Sequence, residues 1–241
     1  MNQGGRVRLR IEMATIQNPD VAVIFDMDGV LVLTEQAHWE SWLEAARPRG
    51  AELSYAAFKS CFGRINPDCI PILFGPTPPE ESVAIAEEKE EAFRRIVRAR
   101  VPLVPGIVEL LTELSGLGAL LGVGSSGPPE NVRVLLEGGS IARFFRATVD
   151  GSQVRRGKPA PDVFLIGAER MGVEPTRCAV IEDAPVGIRA AVSAGMLAVG
   201  VATTHPGREL REAGAAHVFK APSAIDPVGL VGLLRERRTS R

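Results

Sequence analysis

Six short apolar runs punctuate the chain: VAVIF (21–25), GALLGVG (118–124), RATVD (146–150), CAVIE (178–182), MLAVGVAT (196–203) and a weaker AHVF (216–219). The stretches between them, GIVELLTEL (106–114), PPENVRVLLE (128–137), PDVFLIGAERM (161–171) and PVGIRAAVSAG (185–195), carry apolar residues at helical spacing. Strands buried on both faces and joined by crossover helices make a parallel sheet, so the pattern predicts an α/β, doubly wound, Rossmann-like core.

The alternation breaks between residues 36 and 103. That stretch holds QAHWESWLEAARPRG, YAAFKSCFG, a proline-rich turn FGPTPPEE and the long helical pattern PEESVAIAEEKEEAFRRIVRAR, with no comparable strand run. It predicts an α-helical cap inserted after the first strand, with VPLVPG (101–106) returning the chain to the core and Pro105 and Gly106 opening the next helix. The expected division is a flexible N-terminal arm over 1–19, a core made of 20–35 and 104–241, and a helical cap over 36–103.

At 241 residues and 45% hydrophobic content the chain can bury a core and an inserted module. A formal net charge of −1 provides no basic field for nucleic acid or an anionic membrane, so neither is expected as a partner. No apolar run reaches membrane-spanning length, and the three cysteines, Cys61, Cys69 and Cys178, have no zinc-site spacing. These features predict a soluble cytoplasmic protein, monomeric or a weak homodimer, acting on a small metabolite.

In an open parallel sheet, ligands sit beyond the carboxyl ends of the strands, at the point where strand order reverses. Immediately after the first run stand Asp26 and Asp28, after the second Ser125 and Ser126, and at the fourth Glu182 and Asp183. Lys158 follows the third strand in RRGKPAPD. Acids, a lysine and hydroxyls at one sheet edge suit a divalent cation of the Mg²⁺ type and a phosphoryl group, because without the cation the carboxylates repel one another. One carboxylate of the DxD pair can attack phosphorus, and the other can protonate the leaving alcohol and then deprotonate water. Lys158 and Ser125 would stabilise charge on the phosphoryl oxygens.

DMDGVL, GVGSS, GKPAPD and IEDAPVGIRAA, in that order and spacing, resemble the four motifs of the haloacid dehalogenase superfamily, in its capped subgroup. That resemblance implies a Mg²⁺-dependent phosphatase acting on a small phosphorylated metabolite, such as a sugar or polyol phosphate. It implies that Asp26 is the nucleophile and that Asp28 is the general acid and base, with its backbone carbonyl on the metal. Asp183 would bind the metal directly, Glu182 directly or through water, and Ser125 and Lys158 would hold the transferred group.

Each residue also has a plainer reading. Ser125 and Ser126 could cap the helix after them, and Asp162 is expected to cap the helix that follows GKPAPD. In the cap, His38 and Trp42 share a helix face; Trp42 is expected to pack, while His38 could reach a substrate oxygen. Arg64 and Asn66, in CFGRINPD, lie in a turn that resembles the family's substrate-specificity loop and are candidates for touching the leaving group. The run EEKEEAFRRIVRAR has opposite charges at helical spacing and reads as a solvated face.

Asp28 argues against a dehalogenase or a phosphonate hydrolase. A β-phosphoglucomutase-like sugar phosphate mutase is the stronger alternative, since His38 and Trp42 fall on matching positions. The donors such a mutase carries after its second motif are replaced here by Pro128 and Pro129. A catalytically idle binding protein on the same fold is the remaining alternative, and the intact motif acids oppose it. Leu33 replaces the aspartate usual just before Thr34, near the hinge of the cap.

Overall fold

The computed structural model describes residues 20–237, so the arm expected over 1–19 lies outside the described residues. Six parallel strands form one sheet in the order β3-β2-β1-β4-β5-β6: β1 Ala22–Phe25, β2 Leu120–Gly124, β3 Ala147–Val149, β4 Cys178–Glu182, β5 Leu197–Val201 and β6 His217–Phe219. All six fall on the apolar runs, five trimmed at their ends and β4 filling its run completely. Alternate residues of β1 enter different cores: Val21, Val23 and Phe25 pack on one face, Ala22 and Ile24 on the other. Burial on both faces is why these runs are continuously apolar.

Helices α5 Ile107–Gly116, α6 Pro129–Gly138 and α10 Pro227–Glu236 contribute to the first of these cores, and α7 Asp162–Met171, α8 Pro185–Ser193 and α9 Gly207–Glu212 to the second. The strand order reverses at β1, whose neighbours are β2 and β4, so the crevice between the carboxyl ends of β1 and β4 is the topological switch point.

Four helices follow β1 before the chain returns: α1 Glu35–Ala46, α2 Tyr55–Cys61, α3 Asn66–Phe74 and α4 Pro79–Ala99. They enclose an apolar cluster of their own, with Trp42, Phe58, Cys61, Ile70 and Ile85. The outgoing and returning segments run side by side: Leu33 N–H donates to the Pro102 carbonyl at 2.7 Å and Val104 N–H to the Leu31 carbonyl at 3.0 Å. Leu33 sits in this two-stranded neck with its side chain 44% exposed.

The expectation of a solvated face over EEKEEAFRRIVRAR is corrected. Lys89, Glu90, Ala92, Phe93 and Val97 are buried, forming a stripe at helical spacing that packs on α1 and the cavity below it. Two polar residues on that stripe and abundant charges around it conceal the helix's buried side. The exposed charges of α4 pair across to the other cap elements, Arg95 with Glu44 and Arg49 with Glu88.

Asp162 is also corrected: it is the first residue of α7, makes no capping bond, and pairs instead with Arg156 at 2.9 Å. Nor does either serine cap α6, which starts after Pro128; the Ser125 hydroxyl accepts from Gly127 N–H at 3.0 Å. Among the described residues, no helix is long and apolar enough to cross a membrane. All three cysteines are free and buried.

Candidate active site

The pairing of the sheet carries the first acid into the crevice. Asp26 extends β1 by one residue, its N–H donating to the Ile181 carbonyl at 3.0 Å, which sets it beside the end of β4 where Glu182 and Asp183 stand. On the other side, Ser125 N–H donates to the Val149 carbonyl at 2.9 Å, placing this serine at the tip of β2. Lys158 arrives from the loop after β3, and its peptide bond to Pro159 is cis. Its Nζ donates to Asp26 Oδ1 and, at 2.9 Å, to Glu182 Oε1, while lying over the Phe164 ring.

Asp26, Glu182 and Asp183 are all buried, with one potential ligand atom from each lying within 4.8 Å of the others. Burial drives the Asp26 carboxyl up to about 7, against the pull of Lys158 and with Glu182 and Asp28 adding to the rise. Burial likewise lifts Asp183 well above the usual carboxylate range, aided by Glu182 and Asp26. Lys158 is raised: burial opposes its charge, but Asp26 and Glu182 outweigh burial. Three buried carboxylates facing one lysine leave negative charge uncompensated, and an all-oxygen donor set is what a hard divalent cation takes. The residues therefore fit Mg²⁺.

Two glycines make room for these acids. Gly29 has φ +81°, and a Cβ there would overlap the Asp183 carboxylate; at Gly187, in the first turn of α8, it would overlap that of Glu182. Glu182 Oε2 accepts from Ala184 N–H at 2.6 Å, and Asp183 Oδ2 accepts from the Thr204 hydroxyl.

Asp28 turns to the cap. Its Oδ1 accepts from the Thr34 hydroxyl and lies 3.2 Å from His38 Nε2. His38 Nδ1 is 2.9 Å from Lys89 Nζ. An ammonium only donates, so Nδ1 accepts and Nε2 carries the hydrogen that points at Asp28. The His38 ring stacks on Phe93, centroids 4.0 Å apart. Burial would raise the Asp28 carboxyl, but His38 and Thr34 outweigh it and hold it below its ordinary value.

Asp26 and Asp28 open on one cavity of about 70 Å³ between core and cap. Of the sequence candidates, His38, Arg64, Asn66 and Ser126 line it, as do Trp42 and Pro128. Trp42 is also part of the cap's apolar cluster, as expected. Asn66 commits its amide to Glu90, Nδ2 to Oε1 at 2.8 Å. Sequence reasoning missed Lys89, Glu90 and Asn131, which the cap brings together, and Thr204, supplied by the loop after β5. The i, i+4 spacing of Lys89 and Phe93, in register with Ile85 and Val97 on a buried stripe, is the signal that could have singled out Lys89.

Comparison with known proteins agrees with this architecture. The chain is 36% identical to fructose-1-phosphate phosphatase YqaB of Escherichia coli over 74% of its length and 95% of that protein. It is 30% identical to a phosphorylated carbohydrates phosphatase of Thermotoga maritima, over 85% of this chain and 96% of that one. The crystal structure of β-phosphoglucomutase from Clostridium difficile superposes with a TM-score of 0.82 at 26% identity, covering 90% of this chain and 98% of the other. The family model for haloacid dehalogenase-like hydrolases matches residues 21–195, a span that takes in β1 through α8 and every acid of the crevice. The chain is thus an enzyme of the haloacid dehalogenase-like hydrolase family.

Proposed function

We propose that the protein is a Mg²⁺-dependent phosphatase that hydrolyses a small phosphorylated carbohydrate, a sugar or polyol phosphate, through a phosphoaspartyl intermediate at Asp26, with residues 36–103 as its cap. The observation that carries this reading is that Asp26, pinned by Lys158, and Asp28, held by His38 and Thr34, open on one cavity closed over by the cap. The phosphatase names of two relatives support the substrate class.

In this reading an Asp26 carboxylate oxygen attacks phosphorus, and the P–O bond to the leaving alcohol breaks as Asp28 gives that oxygen a proton. Both hydrogen bonds of Asp28 fall on Oδ1, so among the described residues Oδ2 is left for the cavity. Asp28 is ionised at rest, and approach of an anionic phosphoryl group raises its proton affinity by like-charge repulsion, which loads the acid. Asp28 then takes a proton from water as water displaces Asp26 from phosphorus. Lys158 and Ser125 hold the phosphoryl oxygens. Asp26, Glu182, Asp183 and the Asp28 backbone carbonyl would hold a Mg²⁺ ion, which would neutralise phosphoryl charge.

A mutase similar to β-phosphoglucomutase is the second reading. The place of Arg64 on the cavity favours it, as a cation that could hold a second phosphate; Pro128 on the same cavity, which offers no donor, opposes it. A phosphate-release screen over sugar, polyol, nucleotide and short-acid phosphates with Mg²⁺, run beside a coupled assay for isomerisation of β-glucose 1-phosphate, separates the readings. Release from carbohydrate phosphates without isomerisation is expected. Isomerisation without net release would establish the mutase, and no turnover of any ester would refute both.

A further inference from the structure

The charged stretch of α4 contains a carboxylate that the proposed chemistry does not use. Glu90 is only 7% exposed, and its oxygens are bonded by donors on three helices. Oε1 accepts from Asn66 Nδ2 of α3 at 2.8 Å and from Lys89 Nζ of α4 at 2.7 Å. Oε2 accepts from Asn131 Nδ2 of α6. Asn131 is itself buried, and its Oδ1 accepts from Arg94 at 3.2 Å. Helices α3 and α4 belong to the cap, whereas α6 packs on the sheet. Glu90 and Asn131 thus bond directly across the boundary between cap and core.

The cavity beneath them lies between cap and core, so parting the two widens the way in for a substrate. Parting breaks the Glu90–Asn131 bond and returns both groups to water. Closing takes a carboxylate out of water, which is unfavourable unless donors replace the lost hydration, and Asn131 is the donor that the core supplies. The same carboxylate bonds Lys89, Lys89 bonds His38 Nδ1, and His38 Nε2 faces Asp28. The contact that registers closure is therefore linked to the group that moves the proton.

We propose that Glu90 and Asn131 form the latch that holds the cap shut on the core, and that Glu90 is a positioning residue acting through Lys89 and His38 on Asp28. The positioning part rests on the phosphatase reading above; the latch does not. Asn131→Asp sets two carboxylates against each other and should open the cap. The double variant Glu90→Gln/Asn131→Asp exchanges amide for carboxylate and restores a hydrogen bond of reversed direction, with Arg94 still paired to position 131.

Thiol labelling reads the cap directly, because Cys61 and Cys69 line the cavity while Cys178 lies inside β4 and reports on folding of the core. In Asn131→Asp, labelling of Cys61 and Cys69 should accelerate about tenfold or more relative to Cys178, as expected for losing a hydrogen bond to a charged group. The kcat/KM for a carbohydrate phosphate should fall by a similar factor, and the double variant should recover most of both. Should Asn131→Asp expose Cys178 as well, Glu90→Gln alone, which keeps the side chain's shape, decides the matter: faster labelling of Cys61 and Cys69 supports the latch. Unchanged labelling in a folded variant, or a double variant as impaired as the single, would overturn it. Labelling needs no turnover, so a chain inactive on every phosphate ester would refute the proposed function and still leave the latch decided.

Discussion

Asp26 and Asp28 stand one residue apart and line the same cavity, yet opposite halves of the molecule hold them: Lys158 of the core bonds Asp26, and His38 of the cap faces Asp28. In the proposed scheme the nucleophile is thereby held by the core, while the proton-transfer group relies also on the cap. Asp26→Asn is expected to lower kcat for any phosphate ester by at least about four orders of magnitude, the scale of removing an essential catalytic group. Asp28→Asn should lower kcat/KM for alkyl phosphates by about two to four orders. It should cost kcat/KM much less with p-nitrophenyl phosphate, whose leaving group needs no proton, while kcat falls for both because hydrolysis of the shared intermediate also uses Asp28. Equal losses of kcat/KM on both substrates would contradict the assignment of Asp28.

Lys89 fixes the tautomer of His38, and its removal tests that link. In Lys89→Met the His38 Nδ1 loses its donor, so the ring can carry its hydrogen on either nitrogen and the bond to Asp28 is no longer enforced. The kcat/KM for alkyl phosphates should fall about tenfold or more, the scale of misplacing a general acid, with that for p-nitrophenyl phosphate affected less. Steady-state kinetics on the two substrates checks it.

The acid cluster makes stability depend on pH in a calculable direction. Asp26 moves from an ordinary value of 3.8 to about 7 in the folded, metal-free protein. Between those values the folded state binds more protons at this site than the unfolded chain, so stability is greatest below the lower value and is lost as pH rises through about 7. Asp183, also raised, acts in the same sense. His205, lowered by burial, acts in the opposite sense, but equally in wild type and variant. The decline in Tm between about pH 5 and about pH 7 should therefore be steeper in wild type than in Asp26→Asn. Mg²⁺ should raise Tm most at the upper end of that range, where the carboxylates are ionised.

Gly187 reverses an ordinary rule. Alanine in place of glycine within a helix usually stabilises by about 0.5–1 kcal/mol. At this position the added Cβ would meet the Glu182 carboxylate, which is fixed by Lys158 and by Ala184 N–H. Gly187→Ala is expected to lower both Tm and the affinity for Mg²⁺, measured by thermal melts across a metal titration. A rise in Tm with unchanged affinity would count against the tight seating of Glu182.

Much of the core was legible in the sequence because strands buried on both faces must be continuously apolar, and an acid ending such a run stands out. Asp26, Glu182 and Asp183 converge because parallel register and the order β2-β1-β4 bring adjacent strand ends together. Lys89 and Glu90 were hidden for the opposite reason. They are charges among charges on α4, and only the fold reveals that their positions face inward. Asn131 and Thr204 carry no local signal: each matters through what a distant segment brings to it, Glu90 in one case and Asp183 in the other. The capping role expected for Asp162 failed because Arg156, six residues earlier, is a charged partner within reach.

The central claim is that Asp26 becomes phosphorylated, and intact-mass analysis of rapidly quenched reactions tests it most directly. Asp28→Ala, incubated with Mg²⁺ and an activated phosphate ester, should accumulate one covalent phosphoryl group, because attack by Asp26 survives while hydrolysis of the intermediate is slowed. Peptide mapping should place that group on Asp26, and the double variant lacking Asp26 should carry none. Phosphate release by the wild-type enzyme with no phosphorylated protein at any quench time in Asp28→Ala, or with the group on a residue other than Asp26, would contradict the account.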